Sequence, residues 1–351
     1  MSQHNSRFFF AMPIGNSYWF SPFDCLKLQK YDSFFHLFRI FASINNSATM
    51  RNRIVFCAAI TIGLLATSCT SIREVQYTTE RIEKVGRFQG FPELYFQGMS
   101  IYGDYLVSLQ NTGVATLYRL SEGGMERVRQ FPLASQNAVN HANVADFGKE
   151  RYAKGDEFPV LYVSQCSRER YEGMKDVCFV ERLMPDGGPQ LVQTIVLDDP
   201  DGLFGYALQW VIDRRRNLLV GYGNTIENLA EGNRWRMMTF RLPRLSDGAV
   251  VHLHPEDALD NYCIQDLDPR FPSRQIGQGA CIIKDWMIIP VGIGTPQQPS
   301  ILYVWNLRKK RLDGIYDFRE QVPAEFEDCA PYGNALLMQT NGMGLIRILK
   351  K

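Results

Sequence analysis

The feature that most constrains the fold of this chain is a repeat with a period near 55 residues. Five short apolar segments begin at intervals of 55, 57, 69 and 49 residues along the sequence. They are residues 106–109, 161–164, 218–221, 287–290 and 336–339. Most are followed by a turn and a second strand-like segment, and no stretch of 12 or more residues shows the 3.6-residue period of an amphipathic helix. A hairpin repeat of this length predicts an all-β chain folded as a β-propeller.

The repeat predicts five blades, with the five apolar segments as their inner strands. The 69-residue interval leaves room for a sixth blade. The last blade lacks outer strands, because the chain reaches Lys351 soon after the strand-like segment 345–348. We expect residues 75–88 to complete that blade, so that N-terminal and C-terminal strands pair and close the ring. The alternative fold is a large sandwich or two barrels, which would not require the repeat.

The first 68 residues differ in composition from the repeat region. They carry six Lys and Arg against two Asp and Glu, whereas the remaining chain carries 32 against 35. Residues 50–68 combine a basic start, a short apolar stretch and small residues, which is typical of a secretory signal peptide. Residues 1–49 are interpreted as an extension upstream of a true start at Met50. A segment that inserts into a membrane surface through its aromatic residues is the alternative.

The segment 65–69, with sequence LATSC, resembles a bacterial lipobox. This resemblance implies that Cys69 becomes the first residue of the mature protein and carries a lipid. The predicted organisation is therefore a lipoprotein signal peptide at 50–68, a lipid attachment and tether at 69–80, and a propeller domain at 81–351. An ordinary signal peptide followed by an unmodified Cys69 is the alternative.

Polar side chains recur at one offset from the repeat segments. Counting nine residues back leads to Gln97, Gln209, Gln278 and Glu327 in four of the five repeats. In the second repeat an insertion at 149–158 displaces the match, and His141 and Asn143 are the candidates. Equivalent positions in a propeller converge on the central axis, so we expect these six residues to form a polar ring that binds a ligand. The alternative is that the ring holds ordered water and satisfies strand ends.

Several short motifs resemble those of TolB-like β-propeller lipoproteins of Bacteroidetes. They are segments 96–99 (FQGM), 141–143 (HAN), 158–164 (FPVLYVS), 275–279 (QIGQG) and 325–328 (EFED). Some are also similar to the five-bladed propellers of helveticin-type bacteriocins and of phage wall-binding proteins. The family often carries Glu-Pro-Glu-Gly where this chain has Glu-Phe-Glu-Asp. The resemblance implies a binding scaffold of the cell envelope, and it implies no reaction.

Binding is the main functional prediction from the sequence. The region after residue 69 has no Gly-x-Ser-x-Gly elbow, no HExxH and no phosphate loop. The enzymatic alternative is a polysaccharide lyase or glycosidase that uses Glu325, Glu327 and His141 as acid and base. A third alternative is a scaffold for other envelope proteins. The sequence therefore predicts a ligand-binding module for a glycan or peptide.

Charge and cysteine spacing bear on the partners. A net charge of +1 gives no electrostatic basis for nucleic-acid binding. No CxxC spacing or other ligand pattern indicates a metal site, and no cofactor is expected. Cys166 and Cys178 flank a predicted hairpin, where free buried thiols are favoured over a disulfide. We expect a monomer that is anchored to the membrane through lipid and faces the periplasm, with surface display as the alternative.

Overall fold

The computed structural model describes residues 75–184 and 188–351. The predicted extension at 1–49, the signal peptide at 50–68 and the lipidation site Cys69 lie outside the described residues. The segment assigned to the tether is described from Val75 onward, and its residues 77–80 belong to a strand. In the described part of the chain, no helix is long and apolar enough to span a bilayer.

Twenty-one strands form five sheets in the described residues, and all of their pairings are antiparallel except one. Strand β1 (Tyr77–Gly86) comes first and belongs to the last sheet. Blade 1 contains β2 (Phe96–Tyr102), β3 (Tyr105–Gln110), β4 (Val114–Ser121) and β5 (Gly124–Pro132). Blade 2 contains β6 (Val144–Phe147), β7 (Leu161–Ser164), β8 (Cys178–Met184) and β9 (Gly188–Leu197). Blade 3 contains β10 (Leu208–Asp213), β11 (Leu218–Asn224), β12 (Trp235–Arg241) and, after the short β13 (Val250–Leu253), β14 (Asp260–Cys263).

Blades 4 and 5 follow a single short helix, α1 (Ile264–Leu267). Blade 4 contains β15 (Cys281–Ile283), β16 (Trp286–Val291), β17 (Ile301–Asn306) and β18 (Arg311–Asp317). Blade 5 contains β19 (Glu325–Tyr332), β20 (Ala335–Asn341) and β21 (Gly344–Lys350). Three 3-10 turns at Asn111–Gly113, Leu245–Asp247 and Pro255–Asp257 complete the regular structure of the described residues.

The five sheets form a five-bladed β-propeller, which confirms the fold predicted from the repeat. The innermost strands β2, β6, β10, β15 and β19 contact one another in that order around the axis, and β19 returns to β2. The ring is closed as expected, because β1 pairs antiparallel with β21, with Ile82 opposite Ile348. Pairing the two ends of the described domain removes the exposed edge that β21 would otherwise present.

The long interval between the third and fourth repeats holds no sixth blade. It contains β13, which leaves blade 3 and pairs parallel with β9 at the outer edge of blade 2. The amide of Gln193 on β9 donates to the carbonyl oxygens of Arg244 (2.8 Å) and Gly248 (2.9 Å) and so holds the segment that leads to β13. The extra residues therefore connect two neighbouring blades.

One detail of the sequence prediction is wrong. The five apolar repeat segments are the second strands β3, β7, β11, β16 and β20, and the innermost strands precede them. Second strands lie between two other strands and between two neighbouring blades, so both of their faces are buried and their sequences are apolar. The innermost strands face the axis and carry polar residues, which hides them from a search for apolar runs.

The hydrophobic core lies between the blades. Five clusters of buried side chains fill the interfaces of blades 1 and 2, 2 and 3, 3 and 4, 4 and 5, and 5 and 1. All four tryptophans among the largest fully buried side chains, Trp210, Trp235, Trp286 and Trp305, belong to these clusters. This packing fixes the five innermost strands relative to one another, and with them the polar groups at the axis.

Candidate functional site

A cavity of about 530 Å³ lies at one end of the ring. The innermost strands begin at this end, and the second strands of blades 1, 2 and 3 run into loops there. Side chains from all five blades line the cavity, among them Asn111, Ser167, Asn224, Ile276 and Glu325. The cavity therefore surrounds the axis of the propeller, where the sequence analysis places the polar ring.

Five of the six predicted ligand-binding residues line this cavity. They are Gln97, His141, Asn143, Gln209 and Gln278. Gln97 and Gln209 are the second residues of β2 and β10, Asn143 directly precedes β6, and Gln278 lies three residues before β15. The constant offset works because each innermost strand is joined to its second strand by a hairpin, so residues at equal distance from the hairpin reach equal height on the axis.

Glu327, the sixth predicted residue, does not line the cavity, and Glu325 does. The pairing of β19 with β20 is irregular between Phe326 and Cys329, which marks a bulge. Glu327 is fully buried, and one oxygen of its carboxylate accepts a hydrogen bond from the side-chain amide of Asn341. The pairing of β2 with β3 has an equivalent irregularity between Phe96 and Met99, where Gln97 does line the cavity, so the bulge alone does not explain why Glu325 replaces Glu327.

Three of the amides in the cavity have a buried oxygen without a protein partner. The atoms are Oε1 of Gln97, Oδ1 of Asn143 and Oε1 of Gln209, and their residues are 4%, 2% and 5% exposed. They come from three consecutive blades. A buried amide oxygen without a hydrogen bond costs about 1–3 kcal/mol, so folded proteins rarely leave several at one place. The three residues line the cavity, but their oxygens are buried in its wall, so each amide must turn before its oxygen can meet a bound molecule.

Two further polar side chains at this end, those of Gln278 and Glu325, are held by the protein. The amide of Gln278 donates to Oε1 of Glu325 (2.9 Å), and Asn341 donates to Oε2 of Glu325 (3.3 Å). The backbone carbonyl of Gln278 accepts from the hydroxyl of Tyr222. Glu325 therefore lies in a fixed position at the edge of the cavity, with both of its oxygens engaged.

The two glutamates form a carboxylate pair on blade 5. Burial, followed by the negative charge of Glu325, raises the pKa of Glu327 well above its usual range. Within residues 75–184 and 188–351, no hydrogen bond joins the imidazole of His141 to either glutamate. Of the three residues of the enzymatic alternative, His141 lines the cavity from blade 2 and Glu325 lines it from blade 5. Glu327 lies behind the cavity wall.

His141 lies in a strained segment that brings the backbone close to the axis. Its imidazole faces the cavity, and desolvation lowers its pKa, which favours the neutral ring at pH 7. The next residue, Ala142, has a φ of 53°, and its carbonyl accepts from the backbone N–H of Gly98 (2.8 Å). A Cβ atom at Gly98 would meet that carbonyl oxygen at 2.6 Å, so only glycine permits this approach.

Two more strained residues line the cavity. Thr112 has a φ of 68° and Cys166 a φ of 47°. A left-handed conformation costs a residue with a side chain about 1–3 kcal/mol, and such residues cluster at binding and active sites. Burial raises the pKa of Cys166 to about 12, which favours the protonated thiol at neutral pH.

The charge of the cavity wall is low. The charged side chains that line it are Arg168, Glu169 and Glu325, and the guanidinium of Arg168 stacks over the ring of Tyr206 at 4.6 Å. Tyr95 also lines the cavity and is 65% exposed, which places a largely open aromatic ring at its mouth. Amides, a neutral imidazole and aromatic rings suit a ligand with hydroxyl or amide groups.

Five further residues of the cavity were not predicted from the sequence. They are Tyr95, Asn111, Arg168, Tyr206 and Asn224. Asn224 is the last residue of β11, and the other four lie in connections whose lengths differ between blades, so no constant offset from the repeat finds them. The only sequence signal was their position near the ends of predicted strands.

No family model matches the sequence, and no curated protein matches it at a significant level. Solved structures are similar at low sequence identity. The tail fiber of Staphylococcus aureus phage P68 aligns with 82% of this chain at 12% identity and a TM-score of 0.47, and the alignment spans 56% of the fiber chain. The β-propeller domain of Nup133 from Vanderwaltozyma polyspora aligns with 75% of this chain and 72% of its own, at 11% identity and a TM-score of 0.39. The Cps50 (Swd1) β-propeller domain of Myceliophteria thermophila aligns with 73% of this chain and 84% of its own, at 12% identity and a TM-score of 0.37. These likenesses concern the fold alone, and the class of protein that the described residues define is a five-bladed β-propeller.

Proposed function

We propose that this chain is a lipid-anchored binding module of the bacterial cell envelope, which holds a glycan or peptide in its axial cavity. The observation that carries the proposal is that three buried amides, Gln97, Asn143 and Gln209, line one cavity and that the side-chain oxygen of each has no protein partner. A ligand hydroxyl or N–H group would satisfy each of them. The fold itself is compatible with a binding scaffold.

The size and chemistry of the cavity support a small polar ligand. A volume of about 530 Å³ lies within the 300–1,000 Å³ range of small-molecule sites. Amide side chains both donate and accept, so they can pair with the hydroxyls of a sugar or the amides of a peptide. The aromatic rings of Tyr95 and Tyr206 add an apolar surface on which the ligand can stack.

The lyase or glycosidase alternative has less support from the geometry. Catalysis by two carboxyl groups requires both to reach the scissile bond from a cavity that admits the substrate. Glu327 lies behind the wall and is held by Asn341, while Glu325 has both oxygens engaged. A binding role uses the same cavity without requiring either group to move.

The envelope location is proposed from the sequence around Cys69. The order of basic, apolar and small residues before that cysteine supports export followed by lipid attachment. The resemblance to TolB-like lipoproteins supports the same location. In cells that express the chain, Cys69→Ala is expected to move it from the membrane fraction to the soluble fraction; an unchanged membrane fraction would contradict lipid anchoring.

The binding proposal is tested with immobilised glycan and peptide libraries, followed by calorimetry on any ligand that binds. Gln97→Ala and Gln209→Ala should each weaken the Kd at least tenfold, with an unchanged circular dichroism spectrum. Gln130→Ala is the matched control, because the amide of Gln130 is also buried without a partner but lies on β5, away from the cavity. Equal affinity of all three variants would contradict an axial site. A protein partner that remains bound to both cavity variants would favour the scaffold alternative.

A further inference from the structure

Two cysteines of the described domain lie in contact although 48 residues separate them in sequence. Cys281 is the first residue of β15 and Cys329 is the fifth residue of β19, so they belong to the innermost strands of blades 4 and 5. Their Sγ atoms are 3.4 Å apart, and the residues are 3% and 1% exposed. All five cysteines of the described residues are free thiols in the structure, and the other three are Cys166, Cys178 and Cys263.

The surroundings of the pair are apolar. Both cysteines belong to the core cluster between blades 4 and 5, together with Ile288, Met338 and Tyr77 from the closing strand β1. Burial, followed by the contact with Cys281, raises the pKa of Cys329 well above its usual range. A protonated thiol in such a site reacts slowly with any reagent in solution.

We propose that Cys281 and Cys329 form a disulfide bond that links blade 4 to blade 5 when the chain folds in the presence of a disulfide donor. The two thiols lose two protons and two electrons, one S–S bond forms between the Sγ atoms, and the donor disulfide is reduced to two thiols. The Sγ atoms lie 3.4 Å apart, so they must approach one another by a further ~1.3 Å to reach the disulfide bond length of about 2.05 Å.

The burial of the pair sets the order of events. A disulfide donor cannot reach thiols inside a closed core, so the exchange takes place before blades 4 and 5 pack together. Once formed, the bond lies between the blade that contains β1 and its neighbour. It therefore reinforces the ring next to the point where its two ends are joined.

The proposed bond should stabilise the domain measurably. A cross-link that closes a loop of nearly 50 residues restricts the unfolded chain, and for a domain of this size the expected gain in Tm is about 5–10 °C. Adding dithiothreitol during unfolding should remove this gain.

The decisive experiment is a peptide map of the purified chain after reduction, denaturation and refolding with oxidised and reduced glutathione. Free thiols are alkylated, and the protein is digested with trypsin without reduction. The proposal expects peptides 275–284 and 320–347, which contain Cys281 and Cys329, to be recovered joined and two hydrogens lighter than their sum. If the chain refolds to its native circular dichroism spectrum with both cysteines alkylated, the proposal is overturned.

Serine variants provide the stability comparison. In Cys281→Ser the Tm should no longer depend on dithiothreitol, whereas in the matched control Cys263→Ser, whose cysteine lies at the end of β14, the dependence should remain. An identical dependence in both variants would assign the effect to other thiols and contradict the proposal. Should Cys281→Ser fail to fold, the peptide map of the unmodified chain still decides.

Discussion

At the scale of single residues, the innermost strands carry two kinds of polar group. One kind joins neighbouring blades: Asp328 on β19 accepts from the N–H of Met99 on β2 (2.9 Å), and Asp146 on β6 accepts from the N–H of Ile212 on β10 (2.8 Å). Ser100 on β2 likewise accepts from Phe147 on β6 (2.9 Å). The second kind is the set of unpartnered amides in the cavity, which are not needed to hold the ring.

The carboxylate of Asp328 is predicted to be the most costly of these groups to remove. It also accepts from the N–H groups of Ala145 (3.1 Å) and Cys329 (2.8 Å), so Asp328→Ala leaves three buried donors unpaired. The free energy of unfolding in urea should fall by about 3–5 kcal/mol. Asp201→Ala, in an exposed turn, serves as the control and should change it by less than about 0.5 kcal/mol. A loss below 1 kcal/mol at Asp328 would contradict its role in joining the blades.

Stability should fall as the pH rises from 5 to 8. Burial raises the pKa of Asp146 to about 7 and that of Asp176 to about 6, and it raises the pKa values of Glu181, Glu327 and Asp328 as well. Between the ordinary aspartate pKa and these values, the folded state binds more protons than the unfolded state. The stabilisation is therefore complete at low pH and is lost as pH rises through about 7.

The measurement is the Tm at pH 5, 6, 7 and 8 for the unmodified chain and for Asp146→Asn. The amide keeps an oxygen that accepts from Ile212 but does not ionise, so its Tm should fall less steeply with pH. Asp201→Asn should keep the original slope. The lowered pKa of His141 acts in the opposite direction, because its stabilisation is lost as pH falls, so His141→Gln should steepen the decline. A Tm that rises steadily from pH 5 to 8 would refute the assignment.

At the scale of strands, the sequence predicted the position of those strands whose two faces are both buried. Second strands such as β11 and β16 are apolar on both faces, so their sequences show the repeat clearly. The innermost strand β15 has only three residues, and β6 and β10 include buried aspartates, so none stands out as an apolar run. The blade number and the ring closure were nonetheless predictable, because every blade keeps a hairpin between its first and second strands.

The candidate site was also predictable from the sequence only in part. The offset of nine residues identified Gln97, Gln209 and Gln278, since in those three blades the first residue of the repeat segment pairs with the residue five positions before it. It did not identify Glu325, which lies two residues before Glu327 on β19 and lines the cavity in its place. It could not reach Tyr95 or Arg168, which lie in loops of variable length.

The closing strand gives a prediction at this scale. Ile82 on β1 lies opposite Ile348 and packs against the core between blades 4 and 5. Ile82→Pro removes a backbone donor and distorts the strand, so it should lower the free energy of unfolding by about 3 kcal/mol and expose the edge of β21 to aggregation. The control Ile82→Val should cost about 1 kcal/mol and stay monomeric in light scattering. Equal behaviour of the two variants would argue against closure through β1.

At the scale of the whole molecule, the propeller separates stability from binding. Five apolar interfaces between blades supply the core, and polar side chains on the innermost strands join the blades around the axis. The cavity at one end of that axis holds the amides that remain unpaired and the backbone strain at Thr112, Ala142 and Cys166. These unpaired amides and strained residues lower the stability of the free protein. The rigid ring can nonetheless hold them in place, and a bound ligand would satisfy the amides.

The most direct test of a ligand in the axial cavity is a crystal structure of the chain soaked with the tightest ligand from the glycan and peptide libraries. The account predicts density for that ligand within about 3 Å of the amide groups of Gln97, Asn143 and Gln209, with each unpaired oxygen now accepting a hydrogen bond. A cavity that contains only ordered waters bridging those amides, with the ligand elsewhere on the surface, would contradict it.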